Sequence, residues 1–590
     1  MADTDRAGTS VGIRRRTATD PVAPPAPPTR TRGVPQAAPR QLHRGMTLVA
    51  TISLFIGTRA AWTDAMLSRP LVAGVISVCY ASILLCAVLG LVVRTRHGLV
   101  RVDAAVLVTA VVLVTCGYLL DHMGSDEGVL TAQAANELLH GHPVYGQPWP
   151  WLFGTPRVGI TKTMSGGADY TYGYPPLTAL LAAPVHAVVH ATAAATLVTT
   201  SALLLSSVLL WLLLPAPWRS AATAVCLGFG FLPHYAYLGY PAVTALALLV
   251  PVVVRWPDTG RDGHLGPGGV LRAACLGAAG AAQQLAWFLA PFLLIGLYAV
   301  RRGELGPRRA LAVTARYAAT AALTWSALNA YFAAQDFSAW LDGILLPLRQ
   351  KAILHGQGVM GVSYYFTDGS SRLDYYSHGS QLLLFGLLAV TLLFVRRLGP
   401  AITALPWLAF YLATRSQDGY FLMMTPLWLA AVATVPAAAF ATAWQPRVPR
   451  LTGRRAKAAL AAGLLTPAFV CVLVAAASPP PLHMSLTPRY ATHGSRVGVT
   501  AIRLRAVNTT GTTLSPHFAS RRGQGASDWW TVASGPATLA PHASADYVVE
   551  PPGGFDPVPG GRSRTYLIAV TGTPMTITTA DIPAASPATR

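Results

Sequence analysis

The sequence predicts a polytopic α-helical membrane protein of about thirteen spans, followed by a C-terminal all-β, sandwich-like domain. Three observations carry that reading. The 590 residues are 53% hydrophobic and only 11% charged, with a mean hydropathy of +0.44. Apolar runs recur along most of the chain, and about 17–25 such residues cross a bilayer as a helix that satisfies its own backbone hydrogen bonds. From residue 479 the pattern changes to short alternating stretches separated by Gly, Pro, Asn and Ser, as expected of strands and turns.

Residues 1–44 hold eight arginines, no lysine and the run DPVAPPAPPTR. Such a segment cannot bury a core and is expected to be a disordered basic tail. It is too long and too rich in proline for the basic start of a signal peptide.

Residues 45–478 carry the apolar runs. They fall at about 46–64, 71–93, 104–120, 190–214, 220–234, 241–254, 272–283, 285–300, 310–333, 380–395, 399–413, 421–442 and 457–477. With each run counted as one crossing, the N-terminus is cytoplasmic and the C-terminal domain extracytoplasmic. The arginine clusters then return to the cytoplasm: Arg94, Arg96 and Arg101; Arg301, Arg302, Arg308 and Arg309; Arg396 and Arg397; Arg447, Arg450, Arg454 and Arg455. That is the positive-inside pattern. It accounts for the net charge of +21 and argues against nucleic-acid binding. The segment 175–189 must then lie on the outer surface or dip in and return. All six cysteines sit in apolar segments without a CxxC pair, which reads as small buried hydrophobes.

Two outer loops stand out, 121–189 and 334–379. Between 121 and 175 only Arg157 and Lys162 are basic, against Asp121, Asp126, Glu127, Glu137 and Asp169. The second loop is long and aromatic, and loops of that length usually carry function. Residues 479–590 include VGVTAIRLRAV, RTYLIAV and MTITTA, and are long enough for a sandwich with its own core. In that domain Trp529 and Trp530 either stack on sugar or pack the core.

The first loop opens with SDEGVLTAQAANELLHGHPVYG, residues 125–146. Ser125 or Asp126 suits a helix N-cap, and acids complement the first turn. Leu130, Ala134 and Leu138 recur four apart, and Gly141 is a natural stop. A cap explains one acid but not two at the mouth of a span. A carboxylate beside low-dielectric lipid holds its proton more tightly, and base catalysis needs such a group within reach of a hydroxyl.

The order of an apolar span, Asp126 and Glu127, ANELLHGHPVYG and DYTYGYPPL (169–177) resembles the GT-C superfamily of integral-membrane glycosyltransferases. The likeness is to the actinobacterial mannosyl- and arabinosyltransferases that use polyprenyl-phosphate sugars, and the Ala, Gly, Arg and Pro content suits a GC-rich bacterial genome. It covers about residues 100–430 and includes LPLRQKAILHGQGV (346–359) and ATRSQDGYFLMMTPLW (413–428). Two features depart from the family pattern: GHPVYG separates Pro143 from Tyr145, and the acids are adjacent rather than spaced as Asp-x-Asp. The second leaves open both the base and a requirement for a divalent metal.

The resemblance implies transfer of a sugar from a polyprenyl-phosphate carrier to an envelope glycan or glycolipid. The step is inverting, with Asp126 as base and Glu127 as second choice. The leaving phosphate needs positive charge or donors nearby. Arg157, Lys162, Arg349, Lys351, His355 and Arg415 are the candidates on the outer face. Tyr145, Tyr172, Tyr174, Tyr364 and Tyr365 are candidates to bind sugar or acceptor, or they form an interfacial aromatic belt. His142, His355 and His378 lack zinc-ligand spacing. Gln283, Gln284 and Trp287 are polar groups between two apolar runs, where function is the default reading. The rival readings are a transporter or flippase of lipid-linked sugars, which is expected to show internal repeats, and a non-catalytic envelope scaffold.

Overall fold

The computed structural model describes residues 40–153, 158–189, 193–417, 419–447, 453–494, 496–558 and 564–583. The expected N-terminal tail lies outside them, apart from residues 40–44, which already belong to the first helix, Arg40–Ser68. Arg157 also lies outside the described residues.

Among the described residues, seven helices are long and apolar enough to cross a membrane: Arg40–Ser68, Pro70–Val92, Arg96–Leu120, Ala193–Leu213, Leu285–Leu305, Asp374–Leu393 and Arg454–Ala477. Their starts are chemically marked. Pro70 opens the second at a position that needs no amide donor, and the Thr95 hydroxyl accepts the Gly98 amide at the start of the third. Shorter apolar helices, Leu177–Val189 and Pro241–Val253, pack among them.

Several of the thirteen expected runs are not single helices. The run at 220–234 breaks into Arg219–Thr223, a π turn at Ala224–Gly228 and Phe231–Tyr237. Gly230 takes a left-handed φ of 83° at the break. A Cβ on Gly57 would lie 2.1 Å from the Gly228 carbonyl oxygen, so only glycine lets the first helix cover that backbone. Irregular backbone at membrane depth is tolerated where protein buries it. The run at 399–413 is likewise turns and a 3-10 segment, Leu405–Leu412.

The C-terminal domain builds two antiparallel sheets, one of five strands and one of four that a strand from outside the domain extends to five. In the first, Arg496–Asn508 pairs with Leu482–His493, Ser544–Glu550 and Asp556–Pro557, and Thr531–Ser534 extends the edge. In the second, Tyr566–Gly572 lies between Met575–Asp581 and His517–Arg522. Val499, Ile502, Leu504, Tyr547 and Val549 of one sheet pack with Phe518, Leu567 and Ala569 of the other, and Trp530 joins this core.

The second sheet is buried on both faces. Ala519, Ile568, Val570 and Ile577 point away from the sandwich core and join a cluster with Met164, Leu354, Met360 and Tyr364 of the two loops. The loop 334–379 goes further and contributes a strand, Gly369–Ser370, which pairs with Ile577 and Thr578. Arg521 sits with its guanidinium carbon 4.9, 5.3 and 4.5 Å from the ring centres of Tyr364, Tyr365 and Tyr566. The β domain is therefore docked on the loops through a shared sheet and shared core.

Candidate functional site

The helix Asp126–Leu139 starts where the sequence places it. The Ser125 hydroxyl accepts the Gly128 amide at 3.4 Å and donates to the Leu238 carbonyl at 3.0 Å. A Cβ on Gly128 would meet that carbonyl at 2.6 Å, so the first turn sits hard against the 238–239 backbone. Two adjacent acids are thereby held at a fixed place, with different surroundings.

Asp126 is well satisfied. Its Oδ1 accepts the Glu127 amide at 2.9 Å, and its Oδ2 accepts the Thr161 amide at 3.1 Å and hydroxyl at 2.7 Å. Glu127 is the opposite case. Its Oε2 is buried with no hydrogen-bond partner. Burial pushes its carboxyl up to about 8, the Asp126 charge adds to this, and Arg415 and Tyr174 pull it back.

Arg415 arrives from a short strand, Arg415–Ser416, paired in parallel with His355–Gly356. Its Nε is buried without a partner, and one terminal nitrogen donates to Gln350 Oε1 at 3.4 Å. Burial alone would lower its pKa, but Tyr420, Tyr174, Asp126 and Glu127 together raise it, so it stays charged. Gln350 also donates to Asp169 Oδ2 at 2.9 Å, and Asp169 is raised chiefly by burial. Gln284 donates to the carbonyls of Gly173 and Ile344 at 2.9 and 2.8 Å, while its Oε1 is left unpartnered.

These residues line one cavity of about 500 Å³. Its polar wall includes Asp126, Glu127, Asp169, Tyr174, Gln284 and Arg415; its other wall includes Leu285, Phe288, Leu348, Leu384, Phe385 and Phe410. The apolar wall reaches the molecular surface, where Phe385 is 66% and Leu348 46% exposed. Glu127, Arg415 and Gln284 thus line one cavity, and each holds one buried polar atom without a hydrogen-bond partner.

The structure separates the sequence candidates. Asp126, Glu127, Tyr174, Gln283, Gln284 and Arg415 line the cavity. Tyr145 and Tyr172 are buried beside it instead, where their hydroxyls donate to the Tyr174 and Pro175 carbonyls and support the wall. Trp287 donates to the Gly280 carbonyl and packs in the same cluster. Arg349 pairs with Asp342 seven residues back, on its own exposed helix face.

Lys162 pairs with Asp528 of the β domain, and Lys351 with Asp374 and the Gly572 carbonyl. Tyr364 and Tyr365 lie against Arg521. None of these four lines the first cavity, and their polar ends or rings are engaged at the seam with the β domain. His355 contributes its backbone to the strand that carries Arg415. Trp529 bridges the same seam by donating to the Gly167 carbonyl at 2.9 Å.

The sequence reading missed Thr161, Asp169, Gln350, Ser377, Thr414 and Tyr420 as cavity residues. Asp169 and Gln350 lay inside the quoted motifs, and their polarity was the available signal. Among the described residues, no group of three or more His, Cys, Asp or Glu side chains is placed to hold a metal ion. Compared with protein-family models, curated proteins and solved structures, the chain matches none.

Proposed function

We propose that this protein is a membrane glycosyltransferase of the GT-C type, moving a sugar from a polyprenyl-phosphate carrier to an envelope glycan or glycolipid on the extracytoplasmic face. The observation that carries the reading is the two-walled cavity. One wall holds a base, a cation and hydrogen-bonding amides; the other is apolar and opens on the surface of a helix suited to lipid. A donor with a sugar phosphate head and a polyprenyl tail has the same division, and a cavity of about 500 Å³ falls in the ordinary range for a small-ligand site.

In the step itself, the acceptor hydroxyl gives its proton to a carboxylate. Its oxygen bonds to the anomeric carbon from one face as the carbon–oxygen bond to phosphate breaks on the other. The electron pair leaves with the phosphate, so configuration inverts. Arg415 is suited to the charge that gathers on the leaving phosphate.

Glu127 is favoured here over Asp126 as base. A general base works best with a pKa near the operating pH, and the Glu127 Oε2 is free of other bonds. Asp126, committed to Thr161, holds the loop and keeps the Glu127 proton affinity high.

The experiment is transfer of label from polyprenyl-phosphate mannose or arabinose into envelope glycan, in membranes carrying wild type, Glu127→Gln or Asp126→Asn at equal protein level. Loss of transfer by more than about a hundredfold in Glu127→Gln, the range of general-base effects, is expected. Transfer by Glu127→Gln at the wild-type rate would remove Glu127 from the chemistry. No transfer by wild type with a panel of lipid-phosphate sugars would remove the enzyme reading.

A further inference from the structure

A second cavity, of about 330 Å³, adjoins the first and shares Asp169 and Gln350 with it. Its other walls come from three parts of the chain. Thr163, Ser165 and Ala168 belong to the first loop, Leu346 and Lys351 to the second, and Gly572 and Thr573 to the β domain. Lys351 crosses from loop to domain by donating to the Gly572 carbonyl at 2.9 Å.

The chemistry of this lining is unlike that of the first cavity. It has three hydroxyls, a carboxamide, a carboxylate and an ammonium, but no aromatic ring. Leu346 and Ala168 are the apolar side chains among them. An anion faces Asp169, and Lys351, the cation on the lining, already lies 3.7 Å from Asp374. A neutral polyhydroxylated molecule suits such a wall, because each of its hydroxyls both donates and accepts.

We infer that this second cavity is the acceptor subsite, holding a neutral sugar residue of the acceptor glycan at the seam between the loops and the β domain. The inference rests on the glycosyltransferase reading of the first cavity. The bond from Gln350 Nε2 to Asp169 Oδ2, at 2.9 Å, joins two residues common to both linings. A glycan seated in the second cavity presents its next hydroxyl past this pair toward Glu127. On this reading the β domain forms part of the wall that selects the acceptor.

The test uses Ser165, which is exposed and whose hydroxyl lies 3.0 Å from that of Thr163. The full chain with Ser165→Cys is assayed in membranes with labelled polyprenyl-phosphate mannose or arabinose, before and after reaction with a bulky maleimide. Wild type treated in parallel sets the contribution of Cys275 and Cys471, the two cysteines that are not fully buried. Two products are followed: label in envelope glycan and free labelled sugar released by transfer to water.

Unmodified Ser165→Cys is expected to release free sugar as wild type does, which establishes folding, while its transfer to glycan, lowered a few-fold at most by the loss of one lining hydroxyl, is the reference for the modified protein. After modification, transfer to glycan falls about tenfold or more, equivalent to about 1.4 kcal/mol of lost acceptor binding, while free-sugar release persists. Equal transfer before and after complete modification would overturn the subsite. Parallel loss of both products places the block in the first cavity and also overturns it. Absence of both products in wild type is the distinct outcome in which the glycosyltransferase reading itself fails.

Discussion

Thr161 gives Asp126 two hydrogen bonds at once, from its amide at 3.1 Å and its hydroxyl at 2.7 Å. The pair ties the first turn of a helix to a loop 35 residues later. That loop continues through Lys162, whose carbonyl accepts the Ile353 amide at 2.8 Å. One carboxylate therefore organises the meeting of two loops.

Thr161→Val keeps the amide bond and removes the hydroxyl. A hydrogen bond to a charged group contributes about 1.5–3 kcal/mol, so unfolding in detergent is expected at lower temperature, with transfer reduced. Thr161→Ser restores the donor and is expected to recover both. A valine variant as stable and active as wild type would show that the hydroxyl carries nothing.

Glu127 sets a pH dependence whose sign follows from its raised pKa. Its carboxyl stands at about 8 in the folded protein against 4.5 ordinarily. Between those values the folded chain holds a proton that the unfolded chain has lost, so stability falls as pH rises through the window. The slope is at most about 1.4 kcal/mol per pH unit for one proton. Thermal unfolding from pH 5 to 9 is expected to show this decline in wild type and to lose this component in Glu127→Gln. Transfer by wild type runs the other way and rises toward pH 8, as the free carboxylate becomes available.

Arg415 is the cation that lines the cavity, and its planar guanidinium is matched to phosphate in a way an ammonium is not. Arg415→Lys is expected to raise the KM for donor about tenfold or more, roughly 1.4 kcal/mol, with the acceptor KM little changed. Titration of each substrate in turn distinguishes this from a general loss of fold, which moves both.

Arg521 fastens the β domain to the second loop through the rings of Tyr364 and Tyr365, and packs on Tyr566 of its own sheet. Cation–π contacts that exclude water contribute up to about 2 kcal/mol, so Arg521→Met is expected to loosen the seam. Limited proteolysis then cuts at the 479 boundary faster than in wild type, and transfer falls although no cavity residue has changed.

Much of this architecture is written in local pattern. Long apolar runs became helices, the cap at Ser125 formed, and the alternating stretches after 479 became antiparallel strands. The runs that failed as single spans contain Gly228 and Gly230 or Pro400 and Pro406, and their breaks are buried against other helices. At the site, Asp126, Glu127, Tyr174, Gln284 and Arg415 were legible because each is polar beside apolar sequence. The seam contacts of Lys162, Lys351, Tyr364 and Tyr365 leave no local mark, because Asp528, Gly572 and Arg521 lie 150 or more residues downstream. The stretch Leu567-Ile568-Ala569-Val570 did hold a clue, since an unbroken apolar run marks a strand covered on both faces. Thr161 carries no comparable local mark.

The strand at Gly369–Ser370 finds its place only beside Ile577 and Thr578, near the far end of the described chain. Synthesis therefore delivers Asp126, Glu127, Arg415 and both loops well before the sheet that holds those loops together. A chain cut short after its last apolar helix has made every chemical group of the first cavity and lacks the clamp that sets the walls of the second. The seam between the loops and the β domain therefore closes late, once Met575–Asp581 has been made and can pair with Gly369–Ser370.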